Sequence, residues 1–295
     1  MACGMGWILA LVLGMLIVLA THAFPAQRKD THGMSAGGDS RRNWAGSSFY
    51  FLWSCNATIR SFYLDSMRKA NLKVLRIFLL STEGMGHPGV PGCDAVPDVE
   101  PTVPGEYQDD ILDRVDLLMS EAAARGIKLT IAMHDRWSLG CWRDDAYVSM
   151  FHLPTSPGCQ KPNNPVAFYE NATAISLFQQ GLEHILSHQN PHLGSVPWSK
   201  LGQAIFSVEP ENEPQNRLDP VNEEWLCVMA GKIRQLLGAS PILVTSGGSY
   251  VEIIDPFRTA SCPYVDVLAL HDYTTPELLG VRVDAYAIAA IRHNK

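Results

Sequence analysis

The sequence predicts an α/β protein built as a (β/α)8 barrel, with about six of the eight strand–helix units present. Three observations predict it. Short apolar, β-prone runs alternate with amphipathic helical stretches throughout, and no two strand-like runs follow each other directly, which is the pattern of a parallel sheet with crossover helices. Four of those runs end in polar clusters, the arrangement of a barrel whose mouth is fed by many strand ends. No Gly-x-Gly-x-x-Gly opens a helix after the first strand, which weakens the competing open, nucleotide-binding sheet.

Taken in order, the chain begins with an apolar run from Trp7 to Ala20, followed by small residues and the polar Gln27-Arg28-Lys29-Asp30. That run has signal-peptide length, with Val18 and Ala20 or Thr21 and Ala23 as the small residues before the cut. A membrane anchor is the alternative, since a reading from Met5 to Ala23 approaches spanning length. The expected organisation is a signal peptide at 1–23, a leader without periodicity at 24–42, and a barrel domain at 43–295. Asn43–Tyr50 reads as the first strand. Ile59, Phe62, Tyr63, Met67 and Ala70 fall at helical spacing, and Val74–Leu79 is the second strand.

A Gly- and Pro-rich loop from Ser81 to Glu106 follows. The next helix places Ile111, Leu112, Val115, Leu118, Met119 and Ala122 on one face, with acids in its first turn and Gly126 as its stop. Ile127–Met133 is the third strand, running into His134-Asp135-Arg136-Trp137. A second long loop, Ser138–Asn164, precedes a helix through Ile175, Phe178, Leu182, Ile185 and Leu186. The fourth strand starts at Ala204 and runs into Glu209-Pro210-Glu211-Asn212-Glu213-Pro214. After it come a helix from Trp225 to Leu237 closed by Gly238, a fifth strand at Ile242–Thr245, a sixth at Val265–Leu270 ending in His271-Asp272-Tyr273, and a last helix at about Arg282–His293.

At 295 residues, 46% of them hydrophobic, the chain can bury a large core. Its net charge of −7, without a basic block, argues against nucleic acid and leaves neutral substrates open. Removal of Cys3 with the leader would leave six cysteines, an even set suited to an oxidising compartment, although buried thiols are the alternative. Cys141 and Cys159 are expected to pair because one loop holds both; the other connectivities stay open. Asn56-Ala57-Thr58 and Asn171-Ala172-Thr173 are glycosylation triplets. A secreted, extracellular protein is therefore expected, acting as a monomer and free of the membrane once its leader is removed.

The residues at the strand ends carry a resemblance. Asn212-Glu213-Pro214 after strand four, Arg76 near the end of strand two, His134 after strand three and His271-x-Tyr273 after strand six stand in the order of glycoside hydrolase family five, the clan A group of cellulases and β-mannanases. Leu182–Pro191 with Trp198 resembles its fungal-type members. The likeness runs from about Trp44 to Lys295. It implies a secreted glycosidase acting on a β-1,4-linked polysaccharide, mannan or glucan, by retention and without a cofactor or metal. Glu213 is the implied acid/base, which needs its pKa raised by desolvation in the apolar mouth. Asn212 is implied to bond the sugar 2-hydroxyl, Arg76 to orient the second carboxylate, and His134, His271 and Tyr273 to fix geometry and bond the sugar. Trp137, Trp142 and Trp53 are candidate sugar platforms, against the commoner fate of tryptophan as core.

Two alternatives stand beside this reading. His134, Asp135, Glu213, His271 and Asp272 are also metal-ligand types, although no His-x-His or His-Glu-x-x-His spacing occurs. A non-catalytic polysaccharide-binding protein would reuse the same mouth. The family's nucleophile is a glutamate ending strand seven, and no strand seven is found before Lys295. Retention needs two carboxylates about 5–5.5 Å apart. The chain is therefore expected to be an incomplete barrel that is inactive alone, with exposed edges at strands one and six.

Overall fold

The computed structural model describes residues 44–83, 90–142, 145–160, 163–215, 222, 224–248, 255–273 and 275–295. The leader, its apolar run and Asn43 lie outside these. Among the described residues, no helix is long and apolar enough to cross a membrane.

Strand β1 (Gly46–Ser48) leads to helix α1 (Ala57–Lys69), β2 (Val74–Phe78), α2 (Asp110–Ala123) and β3 (Lys128–Ala132). The second long loop is more structured than its composition suggests. It folds into α3 (Ala146–Met150) and α4 (Val166–Glu170) ahead of α5 (Ala172–Ser187). A small hairpin of β4 (Gln189–Asn190) and β5 (Val196–Pro197) precedes β6 (Ile205–Glu209). Then come α6 (Trp225–Leu237), β7 (Leu243–Val244), α7 (Pro256–Ser261) and α8 (Pro276–His293).

The main sheet is parallel throughout, in the order β1-β2-β3-β6-β7. All five residues of β2 are buried, as expected of a strand covered on both faces. Register aligns the ends of three strands, because Phe78 lies opposite Ala132 and Ala132 opposite Glu209. The polar residues that follow these strands therefore emerge at one end of the sheet.

Helices cover the outer face. The buried stripe of α2 matches the predicted one but also contains Asp116, whose side chain is fully buried. Trp198 Nε1 and His188 Nε2 meet its two oxygens at 2.7 and 2.8 Å. A buried carboxylate persists only with such partners, so Asp116 pins the hairpin region to α2. Between α1 and α2, Arg60 forks onto Glu121 at 2.8 and 2.9 Å.

The later strands are shorter than predicted. Strand five is two residues long, and the expected strand six contracts to a single parallel bridge between Thr245 and Val267. Side chains occupy ladder positions there. Asp266 Oδ2 accepts from the Val244 N–H at 2.8 Å, and Ser246 Oγ accepts from the Ala269 N–H at 2.9 Å. Short polar side chains that bond nearby backbone compete with the ladder in this way.

All six remaining cysteines are paired, as Cys55–Cys93, Cys141–Cys159 and Cys227–Cys262. The bridge expected within the second loop is present, and none of these six is a buried free thiol.

Candidate active site at the strand ends

The segment after β6 carries Glu209, Glu211 and Glu213 at a spacing of two. All three are buried, at 3%, 0% and 3% exposure, so they are not a solvated acidic loop. Each carboxylate has its own set of partners.

Glu209 ends the strand itself and receives Arg76 from β2. The guanidinium reaches Oε2 through Nη2 at 2.6 Å and both oxygens through Nε at 3.2 Å. The same Nη2 donates to Asn212 Oδ1 at 2.8 Å. Asn212 Nδ2 in turn donates to Asp135 Oδ1 at 2.7 Å. The Asn212 amide is thereby fixed, with its carbonyl on Arg76 and one of its two N–H groups on Asp135. Arg76, expected beside a catalytic carboxylate, spends its fork on Glu209.

Glu211 turns to the other side. His134 Nδ1 lies 2.8 Å from its Oε1, and Tyr169 of α4 donates to its Oε2 at 2.7 Å. The second His134 nitrogen, Nε2, lies 3.0 Å from Asp145 Oδ2 at the start of α3. Carboxylates only accept, so both ring nitrogens carry protons. Burial alone would lower the pKa of His134, but its bonds to Asp145 and Glu211 outweigh burial and raise it well above the ordinary value. The ring stacks on Phe168, with centroids 5.3 Å apart. His134, expected to bond sugar, has no ring nitrogen left for it and instead holds three segments together.

Glu213 stands at the mouth. Its Oε2 accepts from Trp137 Nε1 at 2.7 Å, and its Oε1 accepts from Tyr273 OH at 2.8 Å and from His271 Nδ1 at 3.0 Å. Its backbone has φ 49°, in the left-handed region that a residue with a Cβ seldom adopts. The Gly247 carbonyl accepts its N–H at 3.0 Å and holds it there. Strain of this kind concentrates at working sites.

The expected pKa of Glu213 needs correction. Burial raises it, but the hydrogen bond and charge of His271 and the bonds from Trp137 and Tyr273 together bring it down to about 2. The raised carboxyl in this neighbourhood is Asp135, pushed to about 6 by burial and by the charge of Glu213 against the bond from Asn212.

Gly247 and Gly248 follow β7 and form the wall behind these residues, both at positive φ. A Cβ on Gly247 would stand 1.9 Å from the Glu211 carbonyl oxygen, and one on Gly248 would stand 2.3 Å from the His271 ring. Only glycine fits either place.

The structure thus brings Arg76, His134, Trp137, Asn212, Glu213, His271 and Tyr273 to one end of the sheet. Trp53 is core instead: it is 1% exposed and its Nε1 donates to the Phe78 carbonyl at 2.9 Å. Trp142 is exposed on the disulfide-bridged loop. Asp145, Tyr169 and the supporting role of Asp135 were not legible in the sequence, because each depends on contacts across at least one loop.

The five residues of the metal alternative divide among separate partners. His134 binds Glu211 and Asp145, Glu213 takes His271, and Asp272 meets Arg282 at 3.1 Å. Among the described residues, the one group with metal-ligand spacing is Asp113, Asp116 and His188, between α2 and the end of α5.

No protein-family model matches the chain. Mannan endo-1,4-beta-mannosidase 1 of Arabidopsis thaliana is 25% identical over 175 residues, 58% of this chain and 39% of its own length. The chain thus spans about two fifths of that relative. The endo-1,4-beta-mannanase of Rhizomucor miehei superposes over 83% of this chain and 73% of its own, with a TM-score of 0.64 and 18% identity. A glycoside hydrolase family 5 mannosidase of the same organism, solved with mannosyl-fructose, superposes over 85% and 66%, with a TM-score of 0.67 and 15% identity. The fold is accordingly a partial (β/α) barrel, and the chain resembles the family-five mannanases.

Proposed function

We propose that the chain is the acid/base half of a secreted, retaining glycoside hydrolase acting on β-1,4-linked mannan. One observation carries this. Glu213, in a strained backbone conformation at a strand end, is met by Trp137, His271 and Tyr273, while the neighbouring Asn212 is locked between Arg76 and Asp135 with one N–H left over. The similar proteins are mannan-cleaving enzymes, which favours mannan over glucan as the substrate.

In this mechanism Glu213 protonates the leaving oxygen and then activates water, and the spare Asn212 N–H bonds the sugar 2-hydroxyl as the transition state forms. Retention needs a second carboxylate about 5–5.5 Å away. Such a neighbour would also raise Glu213, because two like charges at that range resist joint ionisation. No counterpart of the strand-seven glutamate stands among the described residues, and at a pKa of about 2 Glu213 has no proton to give near neutrality. On this reading residues 24–295 hold oligosaccharide at the strand ends without releasing sugar.

That ionised state of Glu213 also favours the second reading, a carbohydrate-binding protein without chemistry. Export through residues 1–23, a leader at 24–42, a domain at 43–295 and a monomeric state complete the proposal.

The test is calorimetry of purified 24–295 with β-1,4-mannohexaose and cellohexaose, alongside reducing-sugar release from mannan. Mannohexaose binding that Asn212→Ala removes, with no sugar release, is expected. Absence of preferential mannoside binding would sink the substrate assignment. Sugar release abolished by Glu213→Ala would overturn the inactivity of the chain.

A further inference from the structure

The two glycosylation triplets occupy comparable positions in the fold. Asn56 is the N-cap of α1 and Asn171 the N-cap of α5, and both are exposed. A capping asparagine uses only its carbonyl oxygen. Asn56 Oδ1 accepts from the Ile59 N–H at 3.1 Å, while Asn171 Oδ1 accepts from Thr173 and Ala174 at 2.8 and 3.3 Å. In neither does Nδ2 donate a hydrogen bond within the described residues. An N-linked sugar leaves the amide oxygen in place, so the cap survives modification.

The surroundings of the two nitrogens differ. Asn56 Nδ2 is packed against the backbone of Gly92, where a Cβ would stand only 2.6 Å from it. The Asn56 N–H is bonded to the Gly92 carbonyl at 2.7 Å, and the Cys55–Cys93 bridge clamps the same two segments together. A sugar on that nitrogen has to be built beside a segment that a disulfide holds in place. At Asn171 the oxygen also bonds two residues on, the Asx-turn pattern. This turn gathers the asparagine amide and Thr173, the two residues a transferase must read, at an exposed helix start. Thr173 is exposed as well.

We propose that Asn171 is an N-glycosylation site and that Asn56, despite its matching triplet, is left bare. The reaction transfers an oligosaccharide from a lipid pyrophosphate donor. The bond from sugar C1 to the pyrophosphate oxygen breaks, a bond from C1 to Asn171 Nδ2 forms, Nδ2 loses one proton, and the lipid pyrophosphate leaves. The site lies two residues beyond Tyr169, which donates to Glu211, so the glycan stands at the junction of α4 and α5. The assignment rests on the proposed export of the chain and on nothing else in the functional reading.

The full chain with its own leader would be translated with microsomes, recovered from the protease-protected lumen, and treated with a peptide-N-glycosidase in heavy-oxygen water, which marks each occupied asparagine in its peptide. A mark at Asn171 and none at Asn56 is the expected result. Thr173→Ala keeps the Asn171 cap and Asn171→Asp keeps a capping oxygen; both are expected to lose the mark and the gel shift of one glycan while melting as the unglycosylated wild type does. Lumenal protein without a mark at Asn171, or with equal marks at both sites, overturns the proposal. A chain that stays protease-sensitive outside the microsome refutes export, and the site falls with it.

Discussion

The two sides of the segment after β6 use the same pair of residue types to different ends. On one side Glu211 meets His134, and on the other Glu213 meets His271. His134 is closed in by a second carboxylate, Asp145, and by Phe168 stacked on its face, so the whole assembly is filled. Glu213 is met by an exposed residue, Tyr273, at the open end of the sheet. What separates a structural ion pair from a candidate catalytic one here is whether the surrounding partners are themselves buried or reach the surface, not the pair itself.

The sharpest way to break this comparison is to remove the carboxylate from the closed side. Glu211→Ala leaves the His134 imidazolium buried with Asp145 alone and strands the Tyr169 hydroxyl. A loss of about 3–5 kcal/mol is expected in urea unfolding. Because the His134 pKa is raised in the fold, its contribution is complete below its ordinary value and is lost as pH rises through the folded one. Wild type is therefore expected to weaken on the alkaline side.

The open side should behave in the opposite sense. The Glu213 pKa falls from 4.5 to about 2, so its contribution is present above pH 4.5 and is lost as pH falls towards 2. That difference amounts to about 3 kcal/mol. Melting curves across this range should show the loss in wild type and a flattened acid limb in Glu213→Gln. Equal acid limbs would mean that the two sides do not differ in this way.

Asp135 sharpens the comparison, because it lies between the two sides. With its pKa raised from 3.8 to about 6, its charge is unfavourable to the fold near neutrality, and stability is gained as pH falls through that interval. Asp135→Asn is expected to stabilise by about 2–3 kcal/mol near neutrality and by little under acid conditions. Unfolding at both pH values checks it. The smallest effect is expected at Trp142. Trp142→Ala, on an exposed surface, should change stability by no more than about 0.5 kcal/mol. It should weaken mannohexaose binding in calorimetry if the ring is a sugar platform.

Legibility in the sequence followed the range of the interactions. The buried runs of β2, β3 and β6 and the stripes of α2, α5 and α6 are periodic over their own length, and they were found within a few residues. The residues gathered at the mouth were legible for a related reason, since each directly follows a strand. Strand six is shorter than its apolar run suggests because the Asp266 and Ser246 side chains take hydrogen bonds that a continued strand would give to backbone. The low pKa of Glu213 was illegible for a different cause. It depends on three donors contributed by sequence positions 76, 58 and 60 residues away.

Gly247 and Gly248 bear on how this chain tolerates change. Every missense mutation of a glycine codon adds at least a Cβ, and at these two neighbouring positions a Cβ meets the Glu211 carbonyl or the His271 ring. Neither codon has a conservative replacement. Random mutagenesis should find these two positions, which carry no functional group of their own, as intolerant as the charged residues they stand behind.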